Sequence, residues 1–342
     1  MNKKTQHIQL HDMMRYLKAV VASLVLCFTI QGCDKEIDES ETPVDDNTIG
    51  FNAGVEKSRA VVGSISDVQD NGGFSVWGSY ANSDGTLQKV FNGDNVYWSN
   101  NTWTYDATKY WNPGKTYNFF AVYPKAQNTV SLSDDGESYK LTFQLPAKAD
   151  VDLLAATSSI TAEKDKEGNF SVVAFRFDHI LSKININIQK NGANDKDKVI
   201  VRSVSVNNIN KSGSYNSKVG TWNDFTIGSF SSSNNLNIEL GVDDNGDCVS
   251  VPVISNLLLI PQKIEEESIQ LSITYSIQDD KSIDLYTADA FIPNTNIDEW
   301  EKQKAYTYNV ILGEAKNNIL FGVPEVQDWI REKQVGGSVM IQ

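Results

Sequence analysis

Histidine and cysteine number three each in 342 residues, and that scarcity excludes much chemistry. His7 and His11 stand in a leader segment, which leaves His179 alone in the remaining chain. One imidazole builds neither a histidine-rich metal centre nor a Ser-His-Asp arrangement. His179, next to Asp178, therefore reads as a hydrogen-bonded structural residue. Cys27, Cys33 and Cys248 are too few and too scattered for a disulfide framework. Stability must come from apolar cores, with Cys248 expected as a small buried side chain. No Gly-x-Ser-x-Gly elbow, phosphate loop or dinucleotide fingerprint occurs, so neither an enzyme nor a cofactor is expected. Basic residues are short as well, 30 against 44 acids, for a net charge of −14. That sign repels nucleic acid and anionic lipid headgroups, and nucleic acid is not an expected partner. Helical patterning is nearly missing. Its best trace is Asn296–Lys304, a turn or two around Trp300.

What is present begins at the N-terminus. Met13-Met14-Arg15-Tyr16-Leu17-Lys18 leads into an apolar run from Ala19 to Ile30, followed by Gln31-Gly32-Cys33. A basic start, a short apolar run and a small residue at the cut define a secretory signal over residues 1–32. The run is shorter than the roughly 18 residues a spanning helix needs. Ile-x-Gly-Cys resembles a bacterial lipobox, which implies lipidation of Cys33 before cleavage. Two acyl chains, at about 0.8 kcal/mol per buried CH₂, give stable anchoring. Residues 1–12 do not suit a signal, and Met13 or Met14 is the expected functional start. Residues 33–47 follow as an acidic tether with no aromatic side chain, unable to bury enough surface to fold. Removing residues 1–32 leaves 26 basic against 43 acidic residues.

Beyond the tether the apolar period is two almost everywhere. Phe74, Val76, Gly78 and Tyr80 alternate with smaller or polar partners, and Tyr139, Leu141, Phe143 and Leu145 do the same. Further runs are Ile184 to Ile188, Leu236 to Val242, Val249 to Val253 and Ile269 to Ile277. Such alternation marks strands with one buried face. Turn-forming clusters lie at 82–85, 92–95, 133–136 and 244–247. Many short strands separated by Gly/Asn turns indicate all-β sandwiches, and the length suits two in series. The seam falls near Asp178-His179, giving domains at 48–178 and 179–342.

Two clusters invite binding hypotheses. Asp243-Asp244-Asn245-Gly246-Asp247 has hard-cation chemistry, but the twelfth position from Asp243 is Ile254, not the Glu of a calcium loop. A plain hairpin turn accounts for it better. Trp77, Tyr97, Trp98, Trp103, Tyr105, Tyr110, Trp111 and Tyr117 crowd one stretch. Exposed aromatics stack on sugar rings, whereas buried ones simply fill a core.

The landmarks along the chain resemble the fimbrillin-like family, the type V pilins of Gram-negative gut and oral bacteria. They run in order from the lipobox through Ile49-Gly50-Phe51, Arg59, Tyr110-Trp111 and TYNFFAVYP (116–124) to Asp152-Leu153-Leu154-Ala155. Phe175-Arg176-Phe177-Asp178-His179, NLLLIPQ (256–262), KAYTYNVIL (304–312) and VPEVQDW (323–329) complete the series. The resemblance implies an all-β protein of two tandem transthyretin-like β-sandwich domains, made as an outer-membrane lipoprotein of the cell surface. It also implies cleavage by a trypsin-like protease after an arginine, here the Arg59–Ala60 bond, with Lys57 as a nearby second site. Cleavage would free the first strand for replacement by one from another fimbrial subunit, in a homo- or hetero-polymer. Residues 334–342 have the makings of such a donor, with Val339 and Ile341 alternating with Met340 after the Gly336-Gly337 joint. The expected function is thus a structural or adhesive fimbrial subunit, with a host or glycan ligand if it serves as a tip. The alternative is a lipid-anchored, outer-surface glycan-binding module.

Overall fold

The computed structural model describes residues 47–55, 64–125, 129–134, 136–192, 198–312 and 318–329, all within one compact unit. The protein is all-β. Period-two alternation translates directly into burial. Strand β10 (Ser182–Lys190) buries every second side chain, as do β7 (Tyr139–Gln144) and most of β19 (Lys304–Leu312).

The N-terminal part builds a seven-stranded sheet. Its order is β1 (Phe51–Val55), β9 (Val173–His179), β8 (Leu154–Thr161), β5 (Thr116–Tyr123), β2 (Phe74–Ala81), β3 (Leu87–Ser99) and β4 (Thr102–Thr104). β1 runs parallel to β9, and the other neighbours in the sheet are antiparallel. Phe51, Phe74, Phe91, Phe119, Phe175 and Phe177 fill one core on this sheet. On its other face Trp77, Phe120 and Val122 join a larger core with Tyr139, Leu141 and Phe143 of β7. The buried Ser79 hydroxyl and Tyr139 phenol meet at 2.9 Å across that contact. Burial pushes the Tyr139 pKa up to about 12.

A second sheet is ordered β17 (Ile283–Phe291), β16 (Gln270–Gln278), β11 (Lys198–Asn216), β7, β6 (Thr129–Leu132). Strands β12 (Thr221–Ser231) and β13 (Ile238–Leu240) also pair with β11. The ladder between β7 and the far end of β11 thus links strands from the two sides of the 178/179 junction. A third sheet holds β14 (Val251–Leu259), β10, β19 and β20 (Ile319–Phe321), with β21 (Glu325–Asp328) also on β19. Only Ile180 and Leu181, both fully buried, separate β9 from β10. The Trp222 indole N–H donates to the Ile180 carbonyl at 2.8 Å and holds this junction.

Three local expectations need correction. Asn296–Lys304 is not helical. Glu299–Trp300 forms β18, paired with β15 (Gln262–Lys263), and Trp300 is fully buried with its indole donating to Tyr308. So short a segment cannot nucleate a helix against that burial. The helix is instead α1 (Ile65–Asp70), opened by the Ser64/Asp67 capping box. Residues 92–95 form no inter-strand turn but an irregularity inside β3. There Gly93 has a φ of +86°, and an added Cβ would lie 3.2 Å from the Trp77 ring. Finally, Cys248 is only half-buried, because it bridges to Val242 beside an exposed turn. In that turn the Asp243 carboxylate accepts the Asn245 and Asp247 amides, which lowers its pKa.

Candidate functional site

Strand β1 is held by a small number of identifiable contacts. Ile49, Phe51 and Ala53 all point into the core, with exposures of 1%, 5% and 7%. This alternation is the one expected for a strand completing the sheet. The Phe51 ring stacks on Phe175 at 5.8 Å and meets Phe91, Tyr105 and Phe119 edge-on. Such arrangements suit the aromatic quadrupole. On one side β1 uses β9. On the other, its lead-in is stitched to the segment after β4. The Ile49 amide donates to the Lys109 carbonyl at 2.9 Å, and the Trp111 amide donates to the Asn47 carbonyl at 2.8 Å. The segment read as a tether therefore gives its last residue to the fold.

That segment is itself pinned. Lys109 pairs with Asp94 at 2.8 Å and lies over the Phe91 ring. The Tyr105 hydroxyl donates to the Ile49 carbonyl at 2.7 Å, and burial raises the Tyr105 pKa. Removing β1 would thus leave a groove floored by Phe91, Tyr105, Phe119 and Phe175. It would also bare a row of backbone groups on β9. Sequence reasoning found Phe51 and placed Tyr105 only in the aromatic run, and it missed Lys109 and Asp94; the roles of all three depend on contacts far along the chain.

The far end of the chain returns to the same place. Val55 pairs with Phe177 of β9, and His179 lies two residues further on. Trp329, 2% exposed, stacks on His179 with centroids 4.4 Å apart. The Trp329 amide donates to Gln303, and His179 Nδ1 lies 2.8 Å from Asp152 Oδ1. His179 is the buried structural residue expected of it. Trp329 therefore sits at the end of β9 at which β1 stops.

The aromatic run goes mostly inward. Trp77, Trp103, Trp111 and Tyr117 are buried, Tyr97 and Tyr105 are half-buried, and Trp98 and Tyr110 are exposed. A cleft of about 170 Å³ opens beside Trp77, Lys89, Asn92 and Tyr139. It is smaller than the roughly 300 Å³ at which ligand pockets begin. Cys33, Lys57, Arg59, Ala60, Val339, Met340 and Ile341 lie outside the described residues. Among the described residues no His/Cys/Asp/Glu group has metal-ligand spacing, and no helix is long and apolar enough to cross a membrane.

Comparison with known proteins places this arrangement. Fimbrium subunit Fim1C of Phocaeicola vulgatus is 24% identical over 193 residues, 50% of this chain and 50% of that protein. The chain thus spans about half the length of the curated relative it matches. A solved Bacteroides ovatus protein, described as a cell adhesion protein, aligns with a TM-score of 0.46 at 15% identity, covering 84% of this chain and 99% of its own. The tip fimbrial protein Mfa3 of Porphyromonas gingivalis, solved with a C-terminal truncation, aligns with a TM-score of 0.35 at 11% identity over 81% and 99%. The fimbrillin-like family model matches residues 58–329. With that match over most of its length, the chain belongs to the fimbrillin-like family, whose members are structural fimbrial and adhesin proteins rather than enzymes.

Proposed function

We propose that this chain is a surface-anchored structural or adhesive subunit of a fimbria, assembled with other fimbrial subunits by protease-triggered strand exchange. The observation that carries the reading is the seating of β1. It is a short, removable strand at the end of its sheet, with Phe51 caged by four rings. The segment between Val55 and the α1 cap at Ser64 contains the Arg59–Ala60 bond. Cutting there by a trypsin-like protease detaches β1 covalently while its contacts still hold it. Lipid on Cys33 anchors the precursor at the outer membrane, and the fimbrium stands at the cell surface. Two sandwiches, 48–178 and 179–342, are joined by the β7–β11 ladder.

Strand polarity bears on which chain fills the groove. β1 runs parallel to β9 and ends beside Phe177. A tail leaving Trp329 from that same end would run along β9 in the opposite sense. A second subunit's 334–342 segment, entering from the Val173 end, reproduces the β1 direction. This supports exchange between subunits over self-closure. Trypsin treatment of the intact chain tests the reading. Nicked protein should form denaturant-resistant oligomers, whereas uncut protein and the Lys57→Ala/Arg59→Ala double variant should form none. Deleting residues 334–342 should stop assembly and leave the melting temperature unchanged. Nicked wild-type protein that forms no denaturant-resistant oligomer at any concentration refutes strand exchange.

A further inference from the structure

Every sheet edge is a template for another strand, and folded proteins usually blunt it by shortness, bulges, proline or lysine. Most described edges here carry such a device. β4, β6, β20 and β21 have three or four residues each. β14 contains Pro252 and two register shifts, and β12 has three shifts. The lead-in to β1 is bonded to residues 109–111.

β17 is different. It runs nine residues with unbroken register against β16, and it contains no Pro, Lys or Arg. The Ile292 amide donates to Ile269, so residue 292 faces β16. Antiparallel alternation then turns the backbone groups of Ile283, Leu285, Thr287, Asp289 and Phe291 outward. No described residue pairs with them on that side. The same odd positions place large apolar side chains on the solvent face, with Ile283 64%, Leu285 68% and Phe291 42% exposed.

We propose that β17 is a lateral self-association edge, which pairs with β17 of a second copy in an antiparallel register centred on Thr287. The strand is complementary to itself in that register. Ile283 stands opposite Phe291, Leu285 opposite Asp289, and Asp284 opposite Ala290. The acids never meet, and the flanking Asp279, Asp280 and Lys281 face Thr295, Asn294 and Pro293. Registers centred on Asp284 or Asp289 would oppose like charges, which is destabilising. Pairing satisfies the outward backbone groups of both copies and buries the Ile283–Phe291 contacts twice. It joins the second sheets of two molecules side by side. It needs neither proteolysis nor the β1 groove, so it is separable from strand exchange.

The test is site-specific cross-linking of the uncut full chain with Cys27, Cys33 and Cys248 replaced by Ser. In the proposed pair the two copies of residue 287 are direct neighbours, with Cα atoms about 5.5 Å apart, within disulfide range. Thr287→Cys should give a covalent dimer on mild oxidation. Ser229→Cys, also exposed and on bulged β12, should give only collisional background. Adding Leu285→Lys should return the Thr287→Cys dimer to that background without changing the melting temperature. Equal cross-linking at 229 and 287, a Thr287→Cys chain that remains monomeric, or a dimer indifferent to Leu285→Lys each overturns the proposal.

Discussion

Phe51→Ala is the most direct perturbation of the strand seat. Phe51 is 5% exposed, and its ring contacts Phe91, Tyr105, Phe119 and Phe175. Truncating so enclosed a phenylalanine loses its transfer free energy and leaves a cavity, which together cost about 3–5 kcal/mol. In the uncut chain this should appear as a loss of that size in urea unfolding followed by near-UV circular dichroism. In the nicked chain the same loss falls on strand retention. At about 1.4 kcal/mol per decade, the affinity of the detached strand should fall by about two to three and a half orders of magnitude. Release of the N-terminal fragment, followed by size exclusion and mass spectrometry, reads this directly. Asn52→Ala is the control, because Asn52 is half-buried on the other side of the strand and should cost less than about 1 kcal/mol. A Phe51→Ala loss below about 1 kcal/mol, or a nicked variant that keeps its strand as tightly as wild type, would refute the seating argument.

Cys33→Ala should abolish fatty-acid labelling and release the protein from membranes; labelling that persists removes the lipid anchor. Deleting residues 34–46 should alter unfolding stability by less than about 0.5 kcal/mol, since the segment has no aromatic side chain and little to contribute to a core. Burial pushes Tyr139, Tyr215 and Tyr306 up to about 12, and Tyr308 higher still. Unfolded tyrosines lose their protons near pH 10, so the unfolded state binds fewer protons between about pH 10 and 12 and stability should fall there. Denaturant midpoints measured across that window check the sign, and a flat profile contradicts the burial.

Strand identity was legible wherever one face of a strand meets a core. Tyr139-Leu141-Phe143, Ile184-Ile186-Ile188 and Ile269 to Ile277 alternate in sequence and in burial, because the pleat turns period two into inside and outside. Pairing was not legible. The parallel neighbours β1/β9 and β10/β19 are far apart in sequence, and nothing local in FNAGV names VAFRF as its partner. The 92–95 segment misled because Asn and Gly suit turns and bulges alike, and the Trp77 ring beneath Gly93 decides between them. The α1 cap carried a readable signal in Ser64-x-x-Asp67, but six residues leave no helical period to detect.

The same limit shapes what could be read of function. Ile49, Phe51 and Ala53 advertise a strand with a buried face, and β17 advertises only alternation between Tyr286, Ala288 and Ala290 and their neighbours. By pattern alone the two strands are alike. Their difference lies in the second neighbour. The lead-in to β1 is bonded to residues 109–111, whereas no described residue pairs with β17 across from β16. A strand whose lead-in is stitched down and whose Phe51 is caged by four rings must be displaced before its place is available, which suits a step gated by cleavage. A strand that stays in place and offers its outward edge directly is available at once, which suits reversible contact governed by concentration. The two kinds of edge therefore predict different kinetics in one molecule: assembly through β1 waits on the nick, and pairing through β17 responds only to how much protein is present.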